Sequence, residues 1–499
     1  MGLNRLDLGV IAVYLAGVTL FGLHFRNGKQ TLKGYFLADK SVPWWAISFS
    51  IVAAETSTLT VISVPGLAYD KDFSFLQLVF GYLIGRVVVS YLFIPHYFRG
   101  DLVTAYQLME RRFGQRLRTF TAGIFLLTRA GAEGVRVFAV AIVVRVAMGR
   151  LLGGMSDFNR DLAAIAVVTV LTLIYTFEGG LKAAIWTDVM QQSIYITGTL
   201  VGLFAIVHMV PGGWPTVLDV AGKAGKFRVF NFSLNPTVRY TLWSGVIGGA
   251  FLTTASHGTD QLIVQRLLSA RSEGQSKAAL LLSGVAILFQ FSLFLLIGAM
   301  LFVYYRIFPP ASAFNRSDTI FPEFIVNHMP HVVSGLLIAA ILAAAMSNLS
   351  AALNSLSSTA IVDFYARLFP ASSEKRRLQL SRGAMVFWAV VLFALALLAR
   401  HGGRVIEVGL TIASVTYGAL LGAFLLGVLT RTASERGAMV GMVCGLALNL
   451  YLWLFTGISF TWYVVLGSIV TFTVGSIAYR HTPAWRPEPV AIRNGNAEL

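Results

Sequence analysis

Pro43 to Tyr69 reads PWWAISFSIVAAETSTLTVISVPGLAY, an apolar run long enough to cross a bilayer with Glu55-Thr56-Ser57-Thr58 at its centre. An acid at bilayer depth costs about 2.5–3.5 kcal/mol on insertion scales, and such residues face a bundle interior or a water-filled cavity. Thr and Ser beside it stabilise a helix that opens locally and leaves backbone carbonyls free for a cation. For Thr58 or Thr60 taken alone, a hydroxyl bonding back to the preceding turn is the favoured explanation. That explanation leaves Glu55 unaccounted for. The stretch therefore predicts an ion or solute site at the membrane midplane.

The rest of the chain agrees with a membrane setting. Of 499 residues 56% are hydrophobic and only 12% charged, and the mean hydropathy is +0.72. A soluble domain carries about 25% charged residues. Apolar runs of spanning length fall at 5–25, 43–69, 73–98, 119–149, 161–177, 186–209, 241–264, 278–305, 333–362, 383–400, 406–429, 437–457 and 462–479. The expected fold is an all-α polytopic membrane protein of about thirteen transmembrane helices. The first run, from Leu8, is too long for a signal-peptide core and reads as a retained helix.

The net charge of +16 raises the question of a polyanion partner. Most Lys and Arg, however, fall in 26–42, 96–118, 178–182, 266–277, 367–382, 431–436 and the tail. These are the alternate connections of the helix series, as the positive-inside bias requires. The charge belongs to orientation, with the amino terminus outside, the carboxyl terminus cytoplasmic and no nucleic acid involved. Cys444 is the single cysteine, so neither a disulfide nor a cysteine metal site forms within the chain. No appended soluble domain and no obligate protein partner are expected. Segment 103–114 reads as an amphipathic surface helix, and the tail after Arg480 as disordered.

A second polar-centred run, GVIGGAFLTTASHGTDQLIVQRL, begins at Gly245. Gly248-Gly249 is expected to loosen the backbone beside Thr253, Thr254, Ser256 and His257. It is the fifth helix after the first polar-centred one, which suits two five-helix repeats each opening with a broken helix. Asp260 and His257 precede an inner helix end, where gating or capping is expected. A third unusual run, AAAMSNLSAALNSLSST, places Ala344, Ser347, Ala351, Asn354 and Ser358 on one helical stripe. Small stripes also serve close helix packing, and for Ser355 and Ser358 both readings stand. Ser347 with Asn348 offers neutral oxygens to a hard cation.

Charges at depth point to the solute. Arg129, Glu133 and Arg136 share one helix face, and Arg86 lies mid-span. Three arginines against Glu55 and Glu133 leave one positive charge for an anionic solute; internal pairing is the alternative. Asp188, early in its run, suits a helix-dipole role or a ligand role. Walker, zinc and nucleophile-elbow patterns are missing from the sequence.

The pieces GYFLADKSVPWWAISFSIVAAETSTLTVISVPG, VTAYQLMERRFG, GGLKAAIWTDVMQ, GTDQLIVQRLLSA and AAMSNLSAALNSLSSTAIVDFY, in this order and spacing, resemble the sodium/solute symporter family across essentially the whole chain. The resemblance implies a LeuT-like 5+5 inverted-repeat core over 43–430. An extra helix and inner loop (1–42) would precede it, with two helices (431–480) and a cytoplasmic tail (481–499) after it. It implies sodium-coupled alternating access in the cell membrane, with sodium and a small-molecule solute as ligands. Its sodium site maps onto the carbonyls of Ala53, Thr56 and Ala344 and the Ser347 hydroxyl, with Asn348 where the family has Ser or Thr. Proline-transporting members carry an acid matching Glu55, implicated with sodium. A second sodium, as in sialic-acid-transporting members, maps onto Asp188, Ser347 and Ser350, and onto Ala351, which has no side-chain oxygen. In those members an arginine about one turn from Arg136 binds the substrate carboxylate. Substrate contacts are expected from Glu55, Ser57, Thr60, Phe75, Arg136, Thr253 and Thr254. A neutral sugar or polyol, proton coupling, and a transporter-like sensor remain the alternatives.

Overall fold

The computed structural model describes residues 2–24, 40–99, 102, 105–149, 154–175, 181–310 and 312–478. Residues 25–39, 176–180 and 479–499 lie outside the described residues, as do the expectations of an inner loop and a disordered tail that fall on them. In chain order the helices are α1 (Arg5–His24), α2 (Trp44–Glu55), α3 (Thr58–Asp70) and α4 (Phe73–Phe98). Then follow α5 (Ala105–Phe113), α6 (Gln115–Ala147), α7 (Asp157–Tyr175), α8 (Leu181–Met209), α9 (Gly213–Lys223), α10 (Leu242–Gly258) and α11 (Gln261–Leu268). The series ends with α12 (Glu273–Ile307), α13 (Ile320–His328), α14 (Val333–Thr359), α15 (Glu374–Ala399), α16 (Val405–Leu429), α17 (Glu435–Phe455) and α18 (Tyr463–Ile477). No strand occurs among the described residues.

Every expected apolar run carries a helix or a helix pair. Among the described residues, eight helices are long and apolar enough to cross a membrane, or nine if α2 and α3, bent by 64°, form one span. The protein is therefore a multi-pass, all-helical membrane protein. Segments that the charge pattern assigns to one side meet one another. Asp72 pairs with Arg228 at 2.7 Å, Asp70 with Arg404 at 2.6 Å, and the Ser459 N–H donates to Pro236 at 2.9 Å. On the other side, Arg112 reaches the Thr430 carbonyl at 3.1 Å and the Ala105 N–H donates to Gln261 at 2.8 Å.

Local chemistry decides how helices approach. The expectation that Gly248-Gly249 loosens the second polar-centred run is corrected: α10 is continuous to Gly258, and the break falls at Thr259-Asp260. The glycines serve packing instead. A Cβ on Gly249 would strike the Leu78 carbonyl, and one on Gly85 would lie 2.6 Å from the Ala250 carbonyl. Facing glycines let α4 and α10 touch backbone to backbone. Asp260 caps α11 through the Leu262 N–H at 2.9 Å, as a capping role requires. Helix α1 docks on the start of α14, where buried Asp7 accepts from the Val332 N–H at 2.8 Å and pairs with His331 at 2.8 Å.

Candidate functional site

The break between α2 and α3 follows from a change of hydrogen-bond partners. The Thr56 N–H still reaches Val52 at 2.7 Å, but that of Ser57 turns to Glu55 at 3.0 Å and that of Thr60 to Ser57 at 2.9 Å. Ser57 is extended, with ψ 175°. The carbonyls of Ala53 and Thr56 are thereby outside the helical ladder, and buried carbonyls seek another partner. The Thr60 hydroxyl donates to the Glu55 carbonyl at 3.4 Å, which ties the far helix back to the break. The Thr56 hydroxyl donates to Gln290 Oε1 at 2.9 Å, and Gln192 Nε2 donates to the same oxygen at 2.9 Å. These two glutamines escaped the sequence reading. The available signal was an amide at depth in two apolar helices, Gln290 in α12 and the Gln191-Gln192 pair in α8.

Of the residues mapped for sodium, Ala344 is buried, while Ser347 and Asn348 are half-buried. A small cavity of about 10 Å³ brings Ser57, Thr58, Glu133, Arg136, Ala345 and Asn348 to one wall. It is about the size of one water. The Thr58 hydroxyl is buried there without a partner among the described residues, so turn-bonding does not account for it. Ala351 and Asn354, farther along the stripe of α14, are exposed. Close packing therefore does not explain those two positions. Asn348 shares that wall with Ser57 and Thr58 from the break, and neutral oxygens of this kind suit a hard monovalent cation.

Asp188 stands differently from its helix-dipole reading. It lies beyond the first turn of α8, and its Oδ2 accepts from the Ser50 hydroxyl at 2.6 Å and from Arg266 at 3.0 Å. Arg266 also donates to Ser50 at 2.8 Å. The acid is there to meet Arg266. Ser350 is buried on α14.

The charges at depth form two clusters. Glu55 pairs with Arg86, which also donates to Ser283 at 3.1 Å and to the Tyr82 carbonyl at 3.3 Å. His257 Nε2 lies 3.5 Å from Glu55. On α6, Glu133 receives Arg129 at 3.0 Å and Arg136 at 2.9 Å. Asp260 stands 4.0 Å from Arg129 and accepts from the Tyr417 hydroxyl at 2.9 Å. The surplus positive charge read from the sequence is thus corrected. Asp260 supplies a third carboxylate, because the break after α10 swings its side chain toward α6. Glu55, a candidate solute contact, is engaged by Arg86. Arg136 has only one nitrogen engaged among the described residues and borders the central cavity.

The remaining solute candidates stand apart from that cavity. Phe75 is fully buried, stacked on Phe291 at 5.4 Å and edge-on to Tyr240 at 5.2 Å. The Thr254 hydroxyl bonds to the Ala250 carbonyl at 2.7 Å, a local turn bond. Thr253 is buried against Gly85 at the α4 contact.

Comparison with known proteins places this geometry. The sodium/sialic acid symporter SiaT of Proteus mirabilis (strain HI4320) is 28% identical over 485 residues, covering 95% of this chain and 94% of the relative. The human sodium-coupled monocarboxylate transporter 1 is 27% identical over 452 residues, covering 89% and 72%. Among solved structures, a sodium-coupled sialic acid symporter in a substrate-bound outward-open state superposes with a TM-score of 0.80 at 28% identity, covering 97% of this chain and 99% of that one. The nucleobase-cation-symport-1 transporter Mhp1 superposes at 0.55 with 14% identity, covering 93% and 98%, a likeness of fold. The family model for the sodium:solute symporter family matches residues 35–445. With its broken helix of freed carbonyls, LeuT-like core and family match, the chain belongs to the sodium:solute symporter family and is a sodium-coupled transporter, not an enzyme.

Proposed function

We propose that this transporter carries a small carboxylate-bearing solute inward, and that Arg136 holds the carboxylate beside the broken helix. The observation that carries the reading is Arg136 itself, at the wall shared by Ser57, Thr58 and Asn348, with most of its donors unengaged. Arginine grips a carboxylate through two parallel hydrogen bonds. The matched relatives named for sialic acid and monocarboxylates are in keeping with it. Sodium-driven uptake of sialate, lactate and a neutral sugar by proteoliposomes tests the class. Uptake of the sugar alone refutes it.

For sodium, we assign the carbonyls of Ala53, Thr56 and Ala344, the Ser347 hydroxyl and the Asn348 amide oxygen. Gln290 and Gln192 hold Thr56, so they position the break without touching the ion. A second sodium at Asp188, Ser347 and Ser350 would have to displace Arg266, so one sodium is the simpler assignment. Loss of one neutral ligand costs about 1–2 kcal/mol, the scale of a lost buried polar contact. Ser347→Ala should therefore raise the half-saturating sodium concentration roughly ten-fold. Asn348→Ser should retain coupling. An unchanged sodium curve for Ser347→Ala removes Ser347 from the site.

The orientation follows the basic connections, with residues 43–430 as the moving core. Cysteines at Ala224 and Ala371, both exposed, in a Cys444→Ala background should label from opposite faces of the membrane, Ala224 from outside. Equal labelling of both by an impermeant reagent in intact cells defeats the alternating arrangement.

A further inference from the structure

An outer cavity lies away from the broken helix. It measures about 420 Å³ and is bounded by the turn before α4 and the segment after α9. That is within the range of small-molecule sites. Three cations, Lys71, Arg228 and Arg239, line it against one carboxylate, Asp72. Asp72 is taken up by Arg228, through Nε at 3.0 Å and a terminal nitrogen at 2.7 Å, and by the Ser74 N–H at 3.0 Å. Arg239 pairs with Glu407. Lys71 is exposed and has no partner among the described residues. In the assigned orientation these cations sit outside, against the bias that places basic residues inside. Topology does not explain them.

The cavity is also preformed. Gln77 is buried beneath it and donates to the carbonyls of Ser74 at 3.1 Å and Tyr240 at 3.2 Å, while its own oxygen accepts from the Asn231 N–H at 3.1 Å. The Phe73 N–H donates to Arg228 at 3.1 Å. Gly225, at φ +69°, turns the chain after α9 so that the Lys226 amine reaches the Tyr69 carbonyl. Tyr240 is part of the cavity lining and packs edge-on to Phe75, which stacks on Phe291. Phe291 meets Tyr82, whose carbonyl accepts from Arg86, the partner of Glu55. An aromatic plug thus separates this cavity from the layer of the broken helix.

We propose that the outer cavity is a capture site for the anionic solute, where Lys71 and Arg228 hold its carboxylate before the Phe75–Tyr240 plug opens. This rests on the carboxylate reading above. Clefts lined by one sign of charge raise local counter-ion concentration and association rates. The test uses the full transporter in proteoliposomes with Ala224→Cys and Cys444→Ala, since Ala224 lines the cavity and is exposed. An anionic sulfonatoethyl thiosulfonate should label it faster than the cationic trimethylammonium reagent, after correction by a free thiol, by about ten-fold, the low end of such focusing. Lys71→Glu should abolish that preference. Sialate and lactate should slow labelling, a neutral sugar should not, and Lys71→Glu should raise the KM for the transported acid at unchanged maximal rate.

No reagent preference, or no protection by either acid, overturns the capture site, while uptake of the acids with its Arg136 dependence keeps the central reading. Preference and protection in a protein that transports only the neutral sugar overturn both the capture role and the carboxylate reading. Arg228→Lys separates charge from folding, because it keeps the cation beside Asp72. If it matches wild type in labelling ratio while Lys71→Glu does not, the effect is electrostatic. Loss of the ratio in Arg228→Lys with Lys71→Glu unaltered refutes the assignment to Lys71.

Discussion

Arg136→Lys should lower uptake of a carboxylate solute about 10- to 100-fold in kcat/KM while leaving the sodium dependence near wild type. Lysine keeps the charge but loses the planar fork. One charge-assisted hydrogen bond lost is worth about 1.5–3 kcal/mol. Glu133 remains neutralised by Arg129 at 3.0 Å, so the helix face keeps its charge balance and the fold should survive. Arg136→Gln extends the series, removing the charge as well, and should be the more severe. Initial-rate uptake against solute and sodium concentrations measures both. If Arg136→Lys transports its acid normally, Arg136 is only a companion of Glu133 and the carboxylate docks elsewhere.

The second large effect concerns the pair beneath the break. Arg86 is buried to 1% side-chain exposure and Glu55 to 16%. Replacing Arg86 by Met leaves the Glu55 carboxylate at bilayer depth with His257 as its remaining ion-pair partner among the described residues. Removing one partner of a buried pair costs about 3–5 kcal/mol, so Arg86→Met should melt at much lower temperature in detergent or fail to accumulate. The double variant Glu55→Gln with Arg86→Met removes both charges and should recover most of that stability. A single variant as stable as wild type would show that the pair contributes nothing to the folded state. The contrast matters because a stable but inactive double variant would assign the pair to the transport cycle.

The sequence determined the class, the broken helix and the neutral face of α14. Each is a local signal: polar residues inside an apolar run, or oxygens recurring at helical spacing. Glu55 to Thr58 interrupts its run, and the hydrogen bonds change partner at those residues. Only tertiary structure decided what each charge meets. Arg129 and Asp260 are far apart in the chain, and their approach depends on where α10 ends, which Gly248-Gly249 misplaced. The same holds for Asp188 against Arg266, for Thr56 against Gln290 and Gln192, and for the outer cavity. Hydropathy and periodicity report how one helix meets its surroundings. They carry no information on which other helix supplies the facing atom, and that choice sets the electrostatics of the site.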